Sequence, residues 1–492
     1  MRRGKLVGRG AWFGIAPLAL LLAVVNFSVA ETISASAKQT KNSDDALTLG
    51  ERLFRQDFAE YDGYFLGGDG LGPMFNGNSC VECHHQGGDG GGGGLKHNVD
   101  IITITDRTLS QVSQAELTAI HSGFQDAGGA FVPAIVLHQF STDDRYASAR
   151  QRLMGKPWIQ VEDDEAALAT LLKRSPHRLL NPTGSTYLVH SQRNTPALFG
   201  IGLIDQIPDK LILDQANREK RFGVRGRVSQ VANDQIGRFG WRAQLPTLRE
   251  FILSACANEL GLEVEGHSQT PNPLAPASRL ASAEVSKIDT DAMIEHVAAI
   301  DPPRIDYSDE DYDRVLQGLA TFEKIGCAEC HVRHMEPARE VYSDFLLHDM
   351  GDSLSDPLGA SPELETVTSP NPAGEGTRSF FEAPKTVNVY YVGTILMQEV
   401  RTEPNLDDPF TDVLQRFAST NVDRRNEWRT PPLWGCFDSA PYMHDGRSAT
   451  LHDAIKAHDG EATQSRANYN DLKAADREYL IAFLNSLRTP TP

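Results

Sequence analysis

Cysteine is scarce in this chain, with six in 492 residues, far too few for a secreted disulfide scaffold. Positive charge is also short. Forty-seven Lys and Arg face 66 Asp and Glu, a formal net charge of −19. The first thirty residues hold Arg2, Arg3, Lys5 and Arg9 and no acid, so the rest stands near −23 once those four charges are taken from −19. A surface this acidic argues against nucleic acid or an anionic membrane as partner and suits a basic or neutral one. Beyond the N-terminus no run is long and apolar enough to cross a membrane. Strand patterns are sparse, Val99 to Thr105 being the best. What remains is a helical signal in a chain long enough for two domains.

The N-terminus reads as an export signal over residues 1–30. A basic Met1 to Gly10 precedes the apolar run Ala16 to Val25, and Ser28-Val29-Ala30 offers small residues for cleavage. The alternative is an uncleaved anchor, although the run is short for a span. Either reading places the chain outside the cytosol, in a bacterial periplasm, with no membrane attachment after cleavage.

Four of the six cysteines fall in two motifs, Cys80-Val81-Glu82-Cys83-His84 and Cys327-Ala328-Glu329-Cys330-His331. Two thiols one helical turn apart can form thioethers to one edge of a haem, and the adjacent histidine then reaches the iron. A shared four-cysteine zinc site would draw the motifs together in the chain, and a thioredoxin-like pair needs a strand before it. Neither pattern is present. The expectation is two covalently bound haem c groups, with His84 and His331 as iron ligands.

The chain repeats itself. Thr195-Pro196-Ala197-Leu198-Phe199-Gly200 and Thr247-Leu248-Arg249-Glu250-Phe251-Ile252 follow the first motif. Thr430-Pro431-Pro432-Leu433-Trp434-Gly435 and Thr450-Leu451-His452-Asp453-Ala454-Ile455 follow the second. The spacing differs, with a longer insertion in the first half. Tyr312, Val315, Leu316, Leu319 and Phe322 recur at helical spacing before Cys327, as Leu49, Leu53 and Phe54 do before Cys80. The expected fold is all-α: two cytochrome c-like haem domains at 45–265 and 305–490, packed together. The Pro-rich residues 266–304 read as a linker or surface excursion.

The repeat poses the question of what faces each iron. Leu451, Ala454, Ile455 and His458 fall at i, i+3, i+4 and i+7, which puts His458 on an apolar helical stripe. It is the candidate second ligand of the second iron, with His348, Met350 and His444 as competitors. The matching stripe in the first half is Leu248, Phe251, Ile252 and Ala255, and alanine binds no iron. The first site is therefore open, or closed by His97 or His85. Glu259 extends that stripe by a turn. A carboxylate there suits peroxide cleavage, taking a proton from one oxygen and returning it to the other. Alternatively, Gly261 ends the helix early and leaves Glu259 in solvent.

These residues resemble the bacterial di-haem cytochrome c peroxidase superfamily, and within it the di-haem oxidoreductase (thiol oxidoreductase-like) branch. The resemblance runs from about Leu47 to Leu487. It rests on Phe75-Asn76-Gly77-Asn78-Ser79, Gly237-Arg238-Phe239-Gly240-Trp241, Asn258-Glu259-Leu260-Gly261, Thr430-Pro431-Pro432-Leu433 and Ala440-Pro441-Tyr442-Met443-His444-Asp445-Gly446. It implies a peroxide-reactive N-terminal haem with acidic Glu259 beside it, and a six-coordinate C-terminal haem relaying electrons. By motif position the C-terminal distal ligand is again His458. Trp241 is the candidate for the family's tryptophan between the haems. Hydrogen peroxide or a similar oxidant and a small redox protein are the implied partners. Typical peroxidases carry methionine at the place of His458, and two imidazoles hold iron at lower potential than His/Met. A maturase branch carries tyrosine there and oxidises residues of another protein. The alternatives are therefore a non-enzymatic di-haem electron carrier, or peroxide-dependent oxidation of a protein partner.

The run Gly87-Gly88-Asp89-Gly90-Gly91-Gly92-Gly93-Gly94 lacks the flanking strand and helix of a phosphate loop. It reads as a flexible loop beside the first haem, able to let His97 move. Arg193 and Arg429 precede the two Thr-Pro motifs, as partners for haem propionates or as surface cations. Cys256 and Cys436 are two buried thiols or a disulfide between the halves. Calcium has no readable signature.

Overall fold

The computed structural model describes residues 46–61, 68–104, 113–125, 132, 134–154, 178–180, 188–231, 234–276, 280, 282–356 and 424–490. The expected signal at residues 1–30 lies outside them. Among the described residues no helix is long and apolar enough to cross a membrane.

A first helix, α1 (residues 46–55), buries Leu53 and Phe54 and leads toward Cys80, as its spacing predicts. After one helical turn at Cys80–Cys83 the chain enters strand β1 (Val99–Ile104). Then come helix α2 (Gln114–Ile120), strand β2 (Ala134–Val136), helix α3 (Arg145–Met154), and strands β3 (Arg178–Leu180) and β4 (Leu188–Arg193). The four strands form one antiparallel sheet in the order β2-β1-β4-β3. Its own core includes Ile102, Leu117, Phe124, Leu137 and Leu188. The all-α expectation is thus corrected. Val99 to Thr105 is the one strand legible in the sequence. The other strands are three to six residues long and gain stability only by pairing, β2 and β4 with β1 and β3 with β4, so none announces itself alone.

Helices α4 (Ile201–Asp205), α5 (Asp209–Asn217) and α6 (Leu248–Glu259) complete the first half. Helix α7 (Lys287–Ala298) follows, with Met293 and Val297 in the core. Residues 266–304 therefore include a packed helix as well as a Pro-rich stretch. The proline signal marks where this segment begins and ends, and the pattern Ala292, Met293, Val297 between them is what buries it.

Helix α8 (Tyr312–Ile325) turns Val315, Phe322 and Ile325 inward ahead of Cys327. A short ladder pairs β5 (Leu347–Asp349) with β6 (Glu427–Arg429). Helices α9 (Leu451–Ala457), α10 (Thr463–Asn470) and α11 (Ala474–Asn485) follow, and α11 packs along α8. One hydrophobic cluster belongs to the first half, another to the second. A third draws Phe54, Leu198 and Leu248 from one and Met335, Phe345 and Trp434 from the other.

The repeat is geometric as well as sequential. Thr247 and Thr450 both cap their helices by accepting from the backbone N–H three residues on, in nearly the same extended conformation. Phe239 bridges Leu245 as Tyr442 bridges Ser448, at the same offset from those caps. Gly200 and Gly435, ending the two Thr-Pro motifs, both sit in the left-handed region, at φ of 67° and 64°. The two motifs also pack on each other. A Cβ at Gly200 would lie 2.5 Å from the Trp434 ring, and one at Gly435 would lie 3.4 Å from Phe199. Each glycine admits the aromatic of the opposite motif.

Both positions demand positive φ, so alanine at either costs about 1 kcal/mol of strain. Gly200→Ala adds a clash with Trp434 and Pro302 that Gly435→Ala lacks. Urea unfolding is expected to show a loss of about 3 kcal/mol for Gly200→Ala and about 1 kcal/mol for Gly435→Ala. Equal losses would contradict the closer approach of Trp434 to Gly200.

Candidate functional site

The two Cys-x-x-Cys-His turns place their histidines alike. The His84 ring is held by its Nδ1 at 3.2 Å from the carbonyl of Gly91, and the His331 ring by its Nδ1 at 2.9 Å from the carbonyl of Tyr342. A nitrogen that donates to a carbonyl fixes the tautomer, leaving Nε2 as the free lone pair. Burial lowers both rings to pKa values of about 4, so each is a neutral imidazole, the form that ligates a metal.

His458 repeats the arrangement. It sits one residue past α9, with Nδ1 at 2.7 Å from the carbonyl of Ala454, and burial lowers its pKa. Its ring centroid lies 6.5 Å from that of His331. Two metal–imidazole bonds of about 2.0 Å, plus the ring half-widths, span about 6 Å. The two rings thus stand at the separation that one metal between their Nε2 atoms requires. Around them opens a largely apolar cavity of ≈ 300 Å³, lined by Cys327, Cys330, His331, Ile455 and His458, and also by Trp241 and Phe251 of the first half.

The competing ligands have other employment. His348 is buried with Nε2 3.0 Å from Asp344 and Nδ1 2.8 Å from Glu461. Burial opposes its charge, but Cys330 and Asp344 prevail and raise its pKa well above the ordinary value. Cys330, Asp344 and His348 lie close enough together to hold a metal. An imidazolium bonded through both nitrogens offers no lone pair, however. His444 stacks on Trp428 at 3.7 Å and 11°. Met350 lines the cavity and receives no support from α9.

Arg193 pairs with Asp356 and lies 4.9 Å over Trp428. Arg429 differs. It is buried, lines the cavity, donates to the carbonyls of Gly240 and Thr430, and has no carboxylate partner among the described residues. Burial lowers its pKa to about 10. A buried cation facing a cavity without an anion fits a cofactor carboxylate. Trp241 lines the same cavity and donates from Nε1 to the carbonyl of Asn194, 2.9 Å away.

At the first site the stripe of α6 holds, and the helix runs to Glu259, with Leu260 after it. Glu259 is not in open solvent. Its carbonyl accepts from the N–H groups of Asn76 and Gly77, its carboxylate accepts from Asn76 Nδ2 at 2.7 Å, and burial pushes its pKa up to about 7. It lies near the first motif, since burial and then the Glu259 charge push the Cys83 thiol up to about 12. Ala255 keeps the place that His458 holds in the second half. His97 lies 3.6 Å from Cys83 Sγ and 5.4 Å edge-on to His85, both beside the motif. The glycine run is a correction: Gly90 to Gly93 are buried, and Gly91 would press a Cβ to 1.8 Å from the Gln86 carbonyl. Glycine serves there for close packing, because the Gly91 carbonyl must reach His84. Cys256 and Cys436 are separate buried thiols.

The sequence reading missed Asn76 as a contact of Glu259, and Trp428, which His444, Arg193 and Arg242 enclose. Those partners are scattered along the chain, and nothing local signals them. If His458 ligates, the haem-loaded His458→Ala protein loses one low-spin signal in electron paramagnetic resonance, and His348→Ala keeps it. The reverse pattern would make His348 the ligand.

Two solved structures are similar to part of the chain. Kuenenia stuttgartiensis hydrazine synthase, pressurised with 20 bar xenon, is 18% identical over 60% of this chain and 73% of that one, with a TM-score of 0.29. A MauG-like protein associated with microbial copper homeostasis is 19% identical over 54% and 77%, with a TM-score of 0.25. No curated protein matches the chain. Residues 375–487, which include the His444-Asp445-Gly446 turn and His458, match the family described as "Di-haem oxidoreductase, putative peroxidase".

Proposed function

We propose that this chain is an exported di-haem c-type oxidoreductase that reduces hydrogen peroxide at its N-terminal site and passes electrons through its C-terminal site. The observation that supports this best is the asymmetry of the repeat. Helix α9 delivers His458 opposite His331, and α6 delivers Ala255 at the matching place and Glu259 one turn on.

Cys80, Cys83 and His84 would hold one haem, and Cys327, Cys330, His331 and His458 would hold the other. The haems supply the redox-active iron and its capacity to bind and reduce peroxide. The protein supplies the rest. The Gly91, Tyr342 and Ala454 carbonyls hold the three imidazoles in the ligating tautomer. Arg429 offers its guanidinium to a propionate. Trp241, on the wall of the cavity, lies on the route between the sites. Glu259 takes a proton from peroxide at one carboxylate oxygen and returns it to the leaving oxygen. The O–O bond breaks with two electrons from a small redox protein, and two further protons complete two waters. The basic and then apolar character of residues 1–30 supports a periplasmic location for this chemistry.

The test is peroxide turnover by Glu259→Gln, which keeps shape and removes the base. The expected loss is about 10²- to 10⁴-fold, with both haem spectra unchanged. The proton must first be accepted, so the carboxylate is the competent form. Wild-type activity therefore rises with pH through about 7 and falls as Glu259 protonates below it. Glu259→Gln is expected to lack that limb. Wild-type turnover in the variant would overturn the assignment.

A further inference from the structure

We infer that Asn76 is a positioning residue that reserves Oε2 of Glu259 as a hydrogen-bond acceptor, so that Oε1 is the oxygen that carries and exchanges the proton. The inference rests on the acid–base role proposed for Glu259 and specifies it to a single atom.

Asn76 is only 5% exposed, and the environment fixes the orientation of its amide. Its Oδ1 lies 2.8 Å from the backbone N of Gln139. A backbone N–H can only donate, so the atom it meets is the amide oxygen and the other end is the NH2 group. That NH2 donates to Glu259 Oε2 at 2.7 Å. The contact cannot slide, because the Asn76 backbone N–H also donates to the Glu259 carbonyl at 2.7 Å.

The far side is equally braced. The Gln139 side chain donates to the carbonyls of Lys96 and Asn98, both at 3.1 Å. The neighbouring His138 ring lies with Nε2 2.8 Å from the carbonyl of Asn258. The segment after β2 therefore grips the end of α6 through residues 138 and 139.

An N–H facing Oε2 meets a lone pair comfortably and a hydroxyl badly. The carboxyl therefore protonates on Oε1, and the Asn76 bond favours the charged form against the burial that disfavours it. The titratable groups around it are Cys83 in the motif, Cys256 on its own helix and His138 on the sheet side, with Glu82 and Lys96 beyond Cys83. None of them hydrogen-bonds to the carboxyl among the described residues. A structural brace alone needs only the backbone bond, so the side-chain bond is the part with a chemical consequence.

The experiment is an infrared pH titration of the haem-loaded protein, following the carboxylic-acid carbonyl band that Glu259→Gln removes. Asn76→Ala is expected to move its midpoint up by about one unit. Asn76→Asp keeps the Gln139 bond and sets a second carboxyl against Oε2, moving it up further; it also serves if the alanine variant fails to fold. The acid limb of peroxide turnover is expected to move with the band. A band that moves while turnover keeps its limb supports the Asn76 assignment and removes Glu259 from the peroxide reaction. An unmoved midpoint in the folded variants overturns the inference whatever the turnover.

Discussion

The constraint on which the rest depends is the reciprocal seating of two aromatic rings over two glycines. Trp434 lies where a side chain at Gly200 would be, and Phe199 lies beside Gly435. Each Thr-Pro motif is thus a receptor for the other, as in a symmetric interface between identical surfaces. This pairing sets residues of both halves around one cavity: Trp241 and Phe251 from the first line it with His331 and His458 from the second. Asn194, just before the first motif, marks the junction. Its N–H donates to the His444 carbonyl and its own carbonyl receives Trp241 Nε1. Trp241 and His444 occupy equivalent positions of the repeat.

Within that symmetric frame the chemistry has diverged by single residues. Both helices start from the same threonine cap and run in the same register. At one matched position stands Ala255 in the first half and His458 in the second. Four positions further along the sequence stand Glu259, still within α6, and Ala462, in a separate short turn. A histidine and a carboxylate have exchanged places with alanine, and the backbone differs as well: α6 continues to Glu259, whereas α9 ends at Ala457 and His458 is extended. In the second half the wall offers nitrogen to a metal. In the first it offers a carboxylate held at about 7, where proton transfer in either direction costs little.

The sequence shows the motifs, the stripes and the repeat because each is local. The helical stripe suffices to single out His458 and Glu259; Glu259 stands on its helix, and His458 stands one residue past the end of α9. The sheet was legible only in the segment Val99 to Thr105, of which Val99–Ile104 form the strand. Its partners depend on pairing that no short segment reveals. The glycine run misled because composition alone speaks of freedom, whereas Gly91 is glycine to bring a carbonyl to His84. The ring of Arg193, Arg242 and His444 around Trp428 joins residues far apart in the chain, and only folding brings them together.

The sheet of the first half bears on its site through the segment after β2. The His458 ring is oriented by its bond to the Ala454 carbonyl. A carboxylate has no metal to aim it, two equivalent oxygens and a rotatable stem. Left to itself in a desolvated pocket, it would protonate on either oxygen and turn either toward the haem motif. Asn76 breaks that equivalence, and Asn76 is fixed only because Gln139 fixes it in turn. Residues 138 and 139, between the first Cys-x-x-Cys-His motif and Thr195, thus complete the first site: Gln139 fixes Asn76, and Asn76 occupies Oε2 of Glu259 and leaves Oε1.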